Sequence, residues 1–287
     1  MTKTLSLIIY KTIKFLDQIF KILTKRSFLV WFKFFLDQDS YKKIFILGKK
    51  LTFFTPNYLT EWRVNTFFSK EPETLKWIDS FEKKENLIFW DIGANIGLYS
   101  IYNAIKNYGS KTYSFEPSTS NLRVLSRNIS NNNLENQIYL FPIPLTNRSE
   151  LFLQMNESDF IEGGALNSFG ENFNFEGKKF SPIMKYSTFG TSIDYLLKNK
   201  ILEVPDYIKI DVDGIEHIIL DGAKNFLKDK KIKSILIEVN ENFKVQHEQI
   251  LRLMKENNFK ILFKKQNLNA DTMDSKFNKT FNYIFIR

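Results

Sequence analysis

The 287-residue chain has no cysteine. That absence excludes disulfides, thiolate metal sites and a cysteine nucleophile, and it fits a reducing compartment. No uninterrupted apolar stretch reaches the roughly 18 to 20 residues that a spanning helix needs. A cleaved signal is not expected either, because lysines interrupt what would be its apolar region and no small-residue cleavage site follows. The chain shows no internal repeat, no low-complexity domain, no zinc-ligand spacing and no glycine-aromatic ribonucleoprotein motif. Despite its lysine and aromatic content, nucleic acid is therefore not an expected partner. The cytoplasm is the expected location.

What is present suits one large globular domain with elaborations, since an apolar content of 43% suffices to bury a core. The net charge of +9 is uneven: residues 1–50 hold eleven Lys or Arg against three Asp, leaving the rest nearly neutral. In this front end Leu5, Ile9, Ile13, Leu16, Phe20 and Leu23 recur at helical spacing, with Lys14, Asp17, Lys21 and Lys25 on the other face. A short aromatic run, residues 28–32, follows. The basic helical extension either packs onto the body or a second subunit, as in a homo-oligomer, or lies peripherally in an anionic membrane interface. Residues 51–84 read as a connector with a helix at 73–81, and 85–287 as the main domain. Arg63 and Lys70 in the connector are candidates for gating a pocket, with an ordinary solvated role as the default.

The most informative stretch is Phe89-Trp90-Asp91-Ile92-Gly93-Ala94-Asn95-Ile96-Gly97-Leu98. An apolar run at 87–90 halts at an acid, turns at glycines, and resumes as a helix over 98–106. Such a turn lets backbone approach a ligand and turns N–H groups towards it. Asn95 stands where a dinucleotide fingerprint has its middle glycine. Asparagine tolerates left-handed backbone, so the turn forms, but a polar amide would crowd a pyrophosphate. Asp91, Gly93, Asn95 and Gly97 are thus expected to hold a ligand lacking one. A second strand, 111–115, ends at Glu116-Pro117, and Ser118 opens a helix carrying Leu122, Leu125 and Ile129. An acid there is placed to accept hydrogen bonds from ribose hydroxyls, so Glu116 joins the set.

Together with Ile208-Lys209-Ile210-Asp211-Val212-Asp213-Gly214-Ile215-Glu216, these blocks resemble the FkbM family of S-adenosylmethionine-dependent methyltransferases, over roughly residues 81–240. The resemblance implies an α/β fold: a seven-stranded Rossmann-like class I methyltransferase sheet with helices on both faces. It also implies S-adenosylmethionine as cofactor and methyl transfer to an oxygen or nitrogen of a small molecule or glycan. In the resembling fold the loop after the third strand (137–141) approaches the adenine ring, which makes Leu145 and Asn147 candidate contacts. The family more often has aspartate where Asn147 stands, but an amide carries both donor and acceptor for the adenine edge.

A further strand is expected near 151–154. Between 156 and 190 periodicity fails, and this segment reads as an acceptor-binding lid in which aromatic rings stack on a sugar and Asn167 or Ser168 bonds its hydroxyls; a disordered insertion is the alternative. Asp211 ends the strand 206–212, at the carboxyl edge of the sheet. The following Asp213-Gly214-Ile215-Glu216 has the form of a capping box opening a helix over 214–226. Asp211, Glu216 and His217 are the candidate bases for the acceptor proton; His247 is expected to be structural. Asp211, Glu238 and Asn240, at adjacent strand ends, form an alternative Mg²⁺ site, with metal-free transfer preferred. A helix near 245–257, a strand near 260–265, a polar hairpin loop at 264–279 and a terminal strand at 281–286 closing the sheet complete the reading. The expected reaction is O-methylation of a sugar or glycan precursor of a surface polysaccharide. Methylation of a secondary-metabolite hydroxyl, or a non-catalytic cofactor-binding assembly subunit, are the alternatives.

Overall fold

The computed structural model describes residues 1–179, 181–266 and 277–287. Most of the expected hairpin loop at 264–279 lies outside the described residues. The chain divides into two compact units, Met1–Tyr41 and Lys42–Arg287. The first holds two helices, α1 (Thr2–Thr24) and α2 (Leu29–Asp39).

The expected boundary at residue 50 moves to 41, because the next residues form a hairpin of strands β1 (Tyr41–Ile46) and β2 (Lys49–Phe54) rather than more helix. β2 is held by two asparagines, one in a later helix and one capping its end: Asn128 accepts from the Phe54 amide at 2.7 Å and Asn132 from that of Thr52 at 2.8 Å. Helices α3 (Tyr58–Asn65), α4 (Phe67–Lys70) and α5 (Pro72–Asp79) lead into the sheet. Asn57 caps α3 through its side chain, and Pro72 opens α5, where its missing N–H costs nothing.

Strands β3 (Ile88–Ile92), β4 (Lys111–Phe115) and β5 (Ile138–Phe141) alternate with helices α6 (Leu98–Lys106) and α7 (Thr119–Asn131). β3 is buried throughout, as a parallel strand covered on both faces must be. The chain then leaves this sheet to build a small antiparallel one from β6 (Leu151–Glu157), β7 (Ser168–Phe169) and β8 (Met184–Gly190). The expected lid at 156–190 is therefore partly regular. Helix α8 (Ile193–Lys198) returns to β9 (Tyr207–Ile210), followed by α9 (Glu216–Asp221), β10 (Ser234–Asn240), α10 (Lys244–Glu256), β11 (Lys260–Gln266) and β12 (Thr280–Ile286).

The main sheet has seven strands in the order β11-β12-β10-β9-β3-β4-β5. β12 is antiparallel to both neighbours, so the terminal strand inserts between β10 and β11 rather than closing an edge. The other pairs are parallel. One face packs Trp90, Ile208, Ile210 and Ile235 with α8 and α9; the other packs Phe89, Tyr207 and Leu236 with α5, α6 and α7. The order reverses between β3 and β9, and ligands of open α/β sheets gather beyond the carboxyl ends at such a point.

Candidate functional site

The β3–α6 turn is built by backbone that only certain residues tolerate. Gly93 adopts φ +84°, and a Cβ there would lie 1.9 Å from the Asp211 carbonyl oxygen, so the turn and the end of β9 touch without side chain between them. Asn95 takes the expected left-handed φ of 51°. The turn's amides, expected to face a ligand, are instead spent inside: Gly93 and Ala94 donate to the Phe115 carbonyl, Gly97 to that of Ala94, and Asn95 to Glu116 Oε2 at 2.7 Å. Asp91 is fully buried, accepts from Ser100 Oγ at 2.5 Å and borders neither cavity, so it braces the turn from beneath.

Two cavity lobes meet at this turn. The smaller, about 70 Å³, is lined by Glu116, Asn121, apolar Phe115, Leu145 and Phe169, and polar Ser168. Glu116 accepts from the Ser118 amide at 2.9 Å, and burial pushes its carboxyl up to about 7. Leu145 sits here as expected; Asn147 does not. Its amide donates to Asp221 on the surface at 3.0 Å, because the 142–147 loop turns its end away from the cleft. Asn167 and Ser168 border this lobe and not the larger one.

The larger lobe, about 280 Å³, is lined by Trp62, Arg63 and Tyr99 and by a dense set of charges: Lys70, Glu71, Lys209, Asp211, Asp213 and Glu238. Arg63 and Lys70, expected to be solvated, border it, and Arg63 Nε donates to the Gly163 carbonyl at 2.7 Å. Lys209 is 1% exposed; its ammonium donates to Asp211 Oδ2 at 2.8 Å and lies 5.1 Å from the Tyr99 ring centroid. Burial opposes its charge, but Asp211, Asp91 and Glu71 outweigh that and hold it firmly protonated. Glu71, bonded by the Tyr99 hydroxyl at 2.7 Å and paired with Lys70 at 2.8 Å, is opposed by burial yet lowered to about 2 by Lys70 and Lys209. Burial, then the nearby Asp211 charge, raises Asp213 to about 6; burial and neighbouring carboxylates raise Glu238 well above its ordinary range. A lysine inside a four-residue buried strand was the available signal for this network, since lysine is rarely buried unpaired.

Three expected roles fail on geometry. Glu216 is 1% exposed and staples the β9–α9 turn, accepting from the Val212 and Gly214 amides at 3.0 Å and from Gln246 at 2.5 Å. His217 is packed against Phe173 and Phe243, and burial lowers its imidazole to about 4. Neither lines a lobe. Asn240 donates to the Phe175 carbonyl at 3.0 Å and accepts from the Asn242 amide, so it is not part of the carboxylate cluster. Asp213 takes that place: oxygens of Asp211, Asp213 and Glu238 lie within 4.8 Å of one another. The capping box does not form: α9 opens at Glu216 after Ile215, Glu216 bonds the Val212 and Gly214 amides rather than that of Asp213, and Asp213, at φ 63°, accepts from the Leu166 amide at 2.7 Å.

The loop at 162–166 crosses the cleft between the lobes. Gly164's carbonyl accepts from Asn95 at 2.8 Å and Asn121 at 3.1 Å, and the Gly163 amide donates to Asn121 at 2.8 Å.

A seven-stranded sheet with one inserted antiparallel strand, and a cleft at its switch point with an acid after the second parallel strand, define a class I methyltransferase. The chain belongs to the methyltransferase FkbM domain family, whose sequence profile matches residues 91–261. It is a methyltransferase using S-adenosylmethionine. The cleft fits that cofactor: Gly93 leaves no room for a side chain, and the buried Asn95 Oδ1 and Ser168 Oγ at the smaller lobe have no protein partner among the described residues. No curated protein matches the sequence significantly. Among solved structures, a precorrin-6y C5,15-methyltransferase from Geobacter metallireducens is 13% identical with TM-score 0.43, covering 76% of this chain and 86% of that one. TrmK from M. capricolum, in complex with S-adenosyl-homocysteine, is 17% identical with TM-score 0.42, covering 74% and 66%. TYW2 from M. jannaschii, in complex with AdoMet, is 15% identical with TM-score 0.42, covering 86% and 87%. These likenesses are too distant to bear on the acceptor.

Proposed function

We propose that the chain is an O-methyltransferase acting on a sugar or glycan precursor of a surface polysaccharide in the cytoplasm. The observation that carries this reading is that Asp211 and Asp213 border both lobes, at the junction of the lobe that holds Glu116 with a charged, aromatic-walled one. In this reading Glu116 holds the ribose hydroxyls, Leu145 and Phe169 flank the adenine, and Gly93 and Asn95 floor the junction. When bound, S-adenosylmethionine supplies a methyl group on a sulfonium, open to in-line displacement.

The chain's own contribution is alignment and a proton acceptor. Trp62 and Tyr99 offer flat apolar faces to a sugar ring, and Arg63 and Lys70 offer donors to its hydroxyls. Lys209 fixes Asp211, which orients the attacking hydroxyl, while Asp213, held near 6, takes its proton. Neither role requires a metal; the three-carboxylate arrangement is compatible with one, and activity surviving exhaustive chelation would remove it.

The test is transfer of labelled methyl to a panel of nucleotide sugars and glycans. Asp211→Asn and Asp213→Asn should each lower kcat by about 10²-fold or more while cofactor affinity stays within a few-fold. Transfer only to non-sugar hydroxyls would move the acceptor to a small secondary metabolite, and full activity of both variants would overturn the assigned roles.

A further inference from the structure

In the unit Met1–Tyr41, α1 carries a single acid, Asp17, and the hairpin consumes it. Asp17 is 8% exposed and accepts from Ser27 Oγ at 2.8 Å and from the Leu29 amide at 2.9 Å. One carboxylate thus closes the α1–α2 turn and supplies an orphan amide at the start of α2, where the N-cap position is Phe28 and offers no side-chain cap. Phe20 and Phe28 add an edge-to-face contact at 5.6 Å. The two helices are thereby joined by a specified corner rather than a loose linker.

With its acid turned inward, α1 presents only lysines as outward charges: Lys3, Lys11, Lys14, Lys21 and Lys25, all exposed. At 3.6 residues per turn these share one arc. Leu5, Ile8, Phe15, Ile19, Ile22 and Leu23 share the adjoining one, centred about a third of a turn away, and they are 58%, 58%, 60%, 42%, 72% and 77% exposed. The partner helix adds aromatics without a lysine row: no residue of α2 is buried, Trp31, Phe34 and Phe35 are 63%, 49% and 59% exposed, and its charges are Lys33, Asp37 and Asp39. Among the described residues no helix is long and apolar enough to cross a membrane. An apolar arc with large aromatics, set against a row of lysines, is the arrangement of a helix lying in a headgroup layer, apolar side down and lysines reaching to lipid phosphates.

We infer that the hairpin formed by α1 and α2 docks the enzyme on an anionic lipid surface. Charge decides the occupant. A second copy would bring its own lysine rows alongside the first, whereas an anionic interface neutralises them while covering the apolar arc.

The test is sedimentation of the full chain with vesicles of mixed phosphatidylglycerol and phosphatidylcholine, against pure phosphatidylcholine. Binding is expected to the anionic vesicles, weakening steeply with salt. Each lysine removed should cost about five-fold in partition, so Lys14→Glu with Lys21→Glu should lower it by roughly 25-fold or more. Ile8→Ser with Ile19→Ser should lower it at unchanged charge and unchanged thermal unfolding. Equal partition onto neutral vesicles, or no partition onto either, would overturn the inference. So would analytical ultracentrifugation showing dimers that these isoleucine variants dissociate while vesicle binding is absent. None of the four positions lines either lobe, so failure here leaves methyl transfer untouched, and failure of the proposed acceptor leaves vesicle binding untouched.

Discussion

Replacing Lys209 with methionine removes a fully buried cation while nearly preserving volume. Glu71 at 1% exposure and Asp91 at 0% then face Asp211 with their central positive charge gone. Breaking a buried ion pair by removing one partner costs about 3–5 kcal/mol, because the remaining charge stays desolvated. For a domain of this size each kcal/mol moves the midpoint by roughly 2–4 °C, so Lys209→Met should unfold roughly 6–20 °C earlier at pH 7.5.

The pH dependence separates charge from packing. Lys70 and Lys209 hold Glu71 at about 2, below its unfolded value, so this stabilisation is present above the ordinary carboxylate range and is lost as pH falls from there towards 2. In Lys209→Met the freed carboxyls titrate higher and take up protons earlier, so the deficit against the unmodified chain shrinks on acidification. Melts followed by circular dichroism at pH 7.5 and pH 5 should show the larger deficit at pH 7.5, and adding Asp211→Asn should recover part of it. A deficit under 2 °C at pH 7.5, or an equal deficit at both values, would refute a structural charge at this position.

Gly93→Ala forces a Cβ into the Asp211 carbonyl at positive φ; strain and overpacking together should cost about 2–5 kcal/mol and abolish cofactor binding, read by thermal melts and calorimetry. Because Asp213 is held at about 6, kcat/KM should rise with pH through that value and level above it. Asp213→Asn should lose this limb and about 10²-fold or more of kcat, measured with the best acceptor. Asn147→Ala breaks the surface pair with Asp221 and a long contact from the Thr146 hydroxyl at 3.5 Å, so calorimetry should find cofactor affinity changed by less than about two-fold and stability by within about 0.5 kcal/mol.

The parallel core was legible because its strands are short apolar runs cut off by an acid or a glycine turn. β4 falls on the residues expected, and the Gly93–Gly97 turn needs the backbone that its composition suggests. α9 was overextended because Ala223 and Leu227 continue the helical spacing, whereas the chain after Asp221 runs on in turns that keep both buried. β8 escaped notice because its residues alternate between half-buried and exposed without a clear apolar face.

The Gly93–Gly97 turn was local and therefore readable. The acidic centre was not: Glu71, Asp91, Lys209 and Glu238 come from four separate segments, and only the parallel pairing of β3, β9 and β10, with Glu71 supplied from the α4–α5 junction, brings them together. Conversely, Glu216 and His217 sit beside Asp211 in the chain but on the far side of the turn, where helical geometry points them into the core.

The most direct test of the central claim is calorimetric titration of S-adenosylmethionine and S-adenosylhomocysteine into the unmodified chain and into Glu116→Ala. The account predicts saturable binding to the unmodified chain. In the variant, with both chains titrated above about pH 8 so that Glu116 of the unmodified chain is ionised, loss of the hydrogen bonds of a charged acceptor at about 1.5–3 kcal/mol should weaken binding by roughly 10- to 150-fold. Absence of binding by the folded, unmodified chain, or equal affinity in both, would contradict it.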